Sequence, residues 1–148
     1  MYERILVATD GSELSELAVT SAIDLALLTN AELVAVKVVH HYPTGYFEGS
    51  LLLTQMEVQR MQGEADAEAQ RVVDAVKAKA DARGVRSTLA VIMKSELVAE
   101  AIIEAARVHK SELIVMASHG RRGLKRLLMG SETLQVLTHS HTPVLVLR

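Results

Sequence analysis

The chain has 148 residues, a formal net charge of −2, 49% hydrophobic residues, 3% aromatic residues and no cysteine. That length suits one core, since two halves would each be marginal. The near-neutral charge gives no global attraction to nucleic acid or anionic lipid, and the missing cysteines exclude disulfides and thiolate metal ligands.

A core of Val, Leu, Ile and Ala suits parallel strands covered by helices on both faces. Met1-Tyr2-Glu3-Arg4 runs straight into an apolar strand without the charged-then-apolar pattern of a signal peptide. No apolar stretch reaches bilayer-spanning length, so the expectation is a cytoplasmic protein.

In chain order, Ile5 to Thr9 reads as a strand closed by Asp10-Gly11-Ser12, a turn and helix start. Leu14, Leu17, Ala18, Ala22 and Leu25 recur at helical spacing. Leu33 to Val39 is a second strand. His40 to Ser50 holds Pro43, Gly45 and Gly49 and reads as a loop carrying Tyr42, Tyr46 and Phe47. Ala69, Val72, Val73, Val76 and Ala80 mark one face of a long helix, with Gly84 as its C-cap and Gly63 as a candidate break. Val85 to Ile92 is a third strand, and Val98, Ala101, Ile102 and Ala105 mark a third helix. Leu113 to Met116 is a fourth strand, Glu132 to Thr138 a fourth helix, and Val144 to Leu147 a fifth strand introduced by Pro143. The alternation argues for a doubly wound α/β sheet, with ligands bound beyond the carboxyl ends of its strands.

The segment between the fourth strand and fourth helix, A-S-H-G-R-R-G-L-K-R-L-L-M-G-S from Ala117 to Ser131, carries the functional signal. Glycines let a backbone approach an anion, and the first turn of a helix offers N–H groups to it. Ser131 is the expected N-cap. Arg121, Arg122, Lys125 and Arg126 add positive charge; phosphate neutralisation is assigned to Arg121 or Arg122, and Lys125 and Arg126 to solvent.

The spacing resembles the nucleotide loop of the universal stress protein family, G-x2-G-x9-G-[S/T]. Gly120 fits the second glycine, nine residues from Arg121 to Met129 follow, and Gly130-Ser131 completes the pattern. The first glycine falls on Ala117, a departure. Tyr2 to Asp10 resembles the family's opening strand with its terminal aspartate, and Thr142 to Arg148 its closing strand. The resemblance spans nearly the whole chain, so residues 1–148 are expected to form one domain of that family. It implies a five-stranded parallel sheet of order 3-2-1-4-5, Rossmann-like, and an ATP or related adenine-nucleotide site, with Mg2+ held by the phosphates. The implied contacts are Ala8 and Thr9, mainly through backbone, Asp10, and the backbone of Val38 at the adenine. They continue through Ala117, Ser118, His119, Gly120, Arg121, Arg122, Gly123, Gly130, Ser131, Glu132 and Thr133. It also implies a homodimer through the terminal strand Val144–Leu147, an apolar sheet edge that invites pairing.

Each residue also has an ordinary reading. Asp10 is a turn aspartate, Val38 a core valine and the basic cluster a solvated turn. The histidine pairs His40-His41 and His139-x-His141 lack the company that a zinc site needs. There is no G-x-x-x-x-G-K-[ST], no G-x-G-x-x-G after the first strand and no G-x-S-x-G elbow. Nothing is placed to orient an attacking water, so any hydrolysis is expected to be slow. The expectation is a stress-response regulatory or sensing module that binds ATP. The alternatives are an interaction protein with a vestigial nucleotide site, and a slow ATPase.

Overall fold

A computed structural model describes residues 1–42, 54–120 and 129–148. Five parallel strands, β1 (Arg4–Ala8), β2 (Glu32–Val39), β3 (Thr88–Lys94), β4 (Leu113–Ala117) and β5 (Val144–Leu147), form one sheet of order β3-β2-β1-β4-β5. Four helices, α1 (Glu13–Thr29), α2 (Gln55–Arg83), α3 (Val98–Val108) and α4 (Ser131–His139), connect them. Strand order and fold class are those expected.

The alternation of side chains along each strand divides the core in two. On one face, Ile5, Val7, Leu33, Ala35, Leu113 and Val115 pack against α1 and the second half of α2. On the other, Leu6, Val34, Val36, Ile114 and Met116 pack against α3 and α4. The helices therefore cover both faces. Full burial of such a Leu, Ile or Val contributes roughly 1.5–3 kcal/mol each.

Several boundaries differ from expectation for local reasons. In α1 the buried stripe is Ser15, Ala18, Val19, Ala22, Ile23 and Ala26, whereas Leu17 is exposed. Alanines let the helix axis lie close to the sheet, and the larger leucine falls just off that stripe. Ser12 caps α1 by accepting from the Ser15 N–H. Thr54 and Glu57 form a reciprocal capping box at the start of α2, which runs unbroken through Gly63. Gly84, at φ 88°, ends α2, and the Val85 N–H returns to the Ala80 carbonyl at 3.1 Å. Val85 thus closes the helix end and packs into the core, so β3 starts later, at Thr88, and runs on to Lys94. Most of the expected aromatic loop lies outside the described residues.

Candidate functional site at the carboxyl edge of β1 and β4

β1 and β4 are neighbours whose connections leave in opposite directions, which opens a crevice at their carboxyl ends. After Ala8, the Thr9 N–H donates to the Val36 carbonyl at 2.9 Å, and the Thr9 hydroxyl lies 3.1 Å from Ser15 Oγ. Thr9 is buried, so its N–H and hydroxyl serve the fold and do not offer themselves to a ligand. The chain then turns: the Gly11 N–H donates to Thr9 Oγ1 at 3.1 Å, and the Ser12 N–H to Asp10 Oδ1 at 2.9 Å, with Gly11 at φ 80°. Asp10 is therefore a turn aspartate, as its ordinary reading held. It is more than that, because its carboxylate also faces the second loop. A Cβ placed on Gly120 would stand 2.7 Å from Asp10 Oδ2. The chain has a glycine at 120 where the aspartate comes against the β4 loop.

β4 delivers the other half. Ala117 is buried, extended and paired with Leu147, and the Ser118 N–H donates to the Leu147 carbonyl at 2.7 Å. The loop is closed at its base by the Gly130 N–H, which donates to the Ser118 carbonyl at 2.7 Å. A Cβ on Gly130 would lie 3.2 Å from both His119 Cα and the Ser118 carbonyl oxygen. Glycine is favoured there by the close approach of the loop's own two ends, since φ is an ordinary −62°. Gly130, not Ser131, is the N-cap of α4; Ser131 is already the first helical residue. The reason is the backbone clasp to Ser118, which holds residue 130 extended.

No side chain caps α4, and its first intrahelical bond runs from Leu134 N–H to Gly130 carbonyl at 3.0 Å. The N–H groups of Ser131, Glu132 and Thr133 thus have no partner within the helix and form its partially positive end. The side chains of that turn are directed elsewhere. Thr133 Oγ1 donates to the Ala117 carbonyl at 2.9 Å, and Glu132 Oε2 accepts from the Ala99 N–H at 3.3 Å, at the start of α3. What Glu132 and Thr133 offer the crevice is backbone. Ser118 Oγ and His119 Nδ1 lie 2.9 Å apart. Arg121, Arg122 and Gly123 lie outside the described residues.

β2 borders the crevice on its far side. Val36 is paired with Ala8 across β1, and its carbonyl accepts from Thr9. Backbone direction alternates, so the N–H and carbonyl of Val38 turn the same way, past the point where β1 has ended. The Val38 side chain packs among the α3-side core residues, as an ordinary core valine would. One residue earlier stands a group that sequence reasoning missed: Lys37 Nζ donates to the Asp10 carbonyl at 3.2 Å. A single lysine inside an apolar strand was the available signal.

A cleft of about 270 Å3 opens further along the edge, between α2 and the ends of β2 and β3. Asp66 and Lys94 pair in its wall at 2.7 Å. The Lys94 hydrogen bond, against some desolvation and aided by Gln62, holds the Asp66 carboxyl below its usual range. Asp10, Gly120 and Gly130 take no part in that cleft. Among the described residues no three His, Asp or Glu side chains are grouped as metal ligands would be. No helix among them is long and apolar enough to cross a membrane.

Comparison with known proteins agrees with this architecture. The family model for the universal stress protein family matches residues 1–148. Universal stress protein MJ0531 of Methanocaldococcus jannaschii is 35% identical over 100% of this chain and 83% of its own length. Among solved structures, universal stress protein UspA from Lactobacillus plantarum superposes with a TM-score of 0.82 over 99% of this chain and 98% of its own, at 23% identity. A universal stress protein solved in complex with cAMP has a TM-score of 0.72, is 26% identical, and is matched over 99% of this chain and 97% of its own. The chain belongs to the universal stress protein family.

Proposed function

We propose that this chain binds an adenine nucleotide, ATP, in the crevice between β1 and β4 and acts as a regulatory or sensing module, not as a dedicated catalyst. One observation carries the reading: the Asp10 carboxylate and the clasped Gly120–Gly130 loop meet at one edge, beside a helix N-terminus without a side-chain cap. The N–H groups of Ser131, Glu132 and Thr133, with Arg121 and Arg122, receive the phosphates. Asp10 faces the ribose or a Mg2+ ion carried by the phosphates, a hard cation that takes oxygen ligands. The Val38 backbone meets the adenine edge. The cAMP complex of the 26% identical relative supports an adenine nucleotide as the ligand class.

Binding without rapid turnover follows from the groups on hand. Asp10 Oδ1 is engaged with Ser12 in its turn, and among the described residues of the crevice no other is assigned to orient an attacking water. Titration calorimetry of ATP into nucleotide-stripped protein tests the reading, and single-turnover assays with magnesium test the absence of fast hydrolysis. Saturable binding with turnover slower than minutes is the expected result. No binding at millimolar ATP would favour the interaction protein with a vestigial site.

We also infer a cytoplasmic homodimer joined through β5. That strand is a sheet edge, and Leu145 on it and Leu134 and Leu137 on α4 are exposed. Sedimentation is expected to show a dimer, and a stable monomer at micromolar concentration would refute it.

A further inference from the structure

We propose that Lys37 is a positioning residue that sets the nucleoside end of the site, by holding the β1–α1 turn and hence Asp10. This rests on the nucleotide reading above only for the identity of the ligand. Lys37 lies in β2, where Leu33, Ala35 and Lys37 share one face by alternation. Leu33 and Ala35 are wholly buried against α1 and α2, whereas Lys37 is half-buried. Its stem follows that apolar face toward the carboxyl edge, and its ammonium reaches across to the Asp10 carbonyl at 3.2 Å.

Three of the bonds that hold the turn involve side chains at or reaching its centre. Thr9 Oγ1 accepts from the Gly11 N–H, Asp10 Oδ1 accepts from the Ser12 N–H, and the Asp10 carbonyl accepts from Lys37. The first two are local, within two residues. The third is the only one of them that comes from another strand, and a hydrogen bond from a charged donor is stronger than a neutral one. It ties the turn to β2, the strand that carries Val38. The same strand thus positions the aspartate with residue 37 and turns its own backbone to the crevice with residue 38. The Thr9 N–H to Val36 carbonyl bond joins the two strands one residue earlier, and the Lys37 link carries that tie on to Asp10, the group that faces the sugar beside the group that faces the base. The phosphate end depends on a different clasp, Gly130 to Ser118.

The test uses Lys37→Met, Lys37→Arg, Asp10→Asn and the Lys37→Met/Asp10→Asn double variant, with ATP and AMP as ligands in calorimetry. Lys37→Met should weaken ATP and AMP alike, by about tenfold, with Lys37→Arg recovering most of the loss. A residue acting through Asp10 is non-additive with it, so Lys37→Met should cost less than about twofold in the Asp10→Asn background. Independent of any ligand, water-exchange NMR should find the Gly11 and Ser12 amides exchanging at least about fivefold faster in Lys37→Met, with β4 amides unchanged. Unchanged exchange at Gly11 and Ser12 overturns the clamp. So does full additivity in the double variant, which would mean that the ammonium acts on the ligand directly. Should the unaltered protein bind neither nucleotide, the reading of the previous subsection falls, and the exchange data alone decide the clamp.

Discussion

The two ends of this sheet are built on opposite principles. At the amino end, charged side chains answer one another and the backbone. The Arg4 guanidinium grips Glu32 with two of its nitrogens and donates to the His109 carbonyl at 2.6 Å, and Arg86 approaches Glu32 at 3.5 Å. Strand starts are stitched by Glu32 N–H to Glu3 carbonyl at 2.8 Å and Glu112 N–H to Arg4 carbonyl at 2.9 Å. At the carboxyl end, side chains are removed from the crevice: glycine stands at 120 and 130, Thr133 is folded back onto Ala117, and Glu132 is turned to α3. Among the described residues, that mouth presents the Asp10 carboxylate, the Lys37 ammonium on the Asp10 backbone carbonyl, and backbone N–H groups. A closed end serves stability, and an end lined by bare backbone can take a ligand.

The largest break in this contrast should come from Gly130→Val. Its Cβ would press on His119 Cα and the Ser118 carbonyl at 3.2 Å, and both are backbone that cannot rotate away. The clasp at the loop's base opens and the first turn of α4 shifts. ATP affinity is expected to fall at least about 100-fold. Overpacking of this kind costs ~1–3 kcal/mol in stability, so the fold should survive. Calorimetry beside a urea melt measures both. An affinity within a few-fold of the parent would remove the loop from the phosphate site.

Gly120→Ala should do less, and selectively. The intruding methyl meets the end of a short side chain, Asp10 Oδ2 at 2.7 Å, which can swing aside at the expense of its bond to Ser12. A loss of about tenfold in ATP affinity is expected, since one displaced contact of ~1.4 kcal/mol is one decade. The urea midpoint should hardly move. A large drop in midpoint would mean that the contact is structural.

Arg4→Met sharpens the comparison from the other end. It should lower the urea midpoint at neutral pH while leaving ATP affinity within about twofold, since binding and stability sites this far apart are additive. The Arg4 hydrogen bond, assisted by the charges of Arg4 and Arg86 against some desolvation, holds the Glu32 carboxyl below its ordinary range. A depressed folded-state value means the pair contributes above the unfolded carboxylate pKa, about 4.3, and the contribution is lost as pH falls through the folded value. The gap between parent and variant should therefore narrow on acidification below about pH 4. A gap that is constant with pH would assign the effect to the Arg4–His109 contact instead.

Much of this was legible in the residues, and the reasons are specific. Apolar runs such as Leu113–Met116 announce buried parallel strands because both of their faces are covered. Strand order was available only through resemblance, since periodicity says nothing of which strand lies beside which. The exposed Leu17 was misread because leucine outranks alanine in any hydrophobic pattern, while the close helix–sheet approach selects for Ala18, Ala22 and Ala26. Ser131 reads as an N-cap from its hydroxyl, but a backbone bond 12 residues away in sequence, Gly130 to Ser118, decides the cap. Gly120 could be recognised as a motif glycine, yet its local reason, the Asp10 carboxylate, appears only when β1 and β4 are side by side. Lys37 stood out only as a lysine inside an apolar strand, and its role was hidden for the same cause: the Asp10 carbonyl it meets is 27 residues away.

The smallest effect is expected at Ala117, where the chain departs from its family's loop pattern. A glycine there would matter only if the position needed positive φ, which disfavours alanine by ~1–2 kcal/mol. Among the described residues the non-glycine positions at positive φ are Asn30 and Lys110, and Ala117 is not one of them. It is the last residue of β4, paired with Leu147, and its carbonyl accepts from Thr133 Oγ1. The residue is buried, at 7% exposure, as a strand position of the sheet. Ala117→Gly should accordingly change ATP affinity by less than about fivefold, within roughly 1 kcal/mol. The same change should lower stability by ~0.5–1 kcal/mol, because glycine in a paired strand position loses more backbone entropy on folding than alanine. Side-by-side titration and urea melts of the two proteins measure the pair of effects. A gain in affinity well beyond fivefold on restoring glycine would mean that the natural chain is a weakened binder, and would move the weight of the carboxyl end from ligand binding toward the β5 edge and its partner.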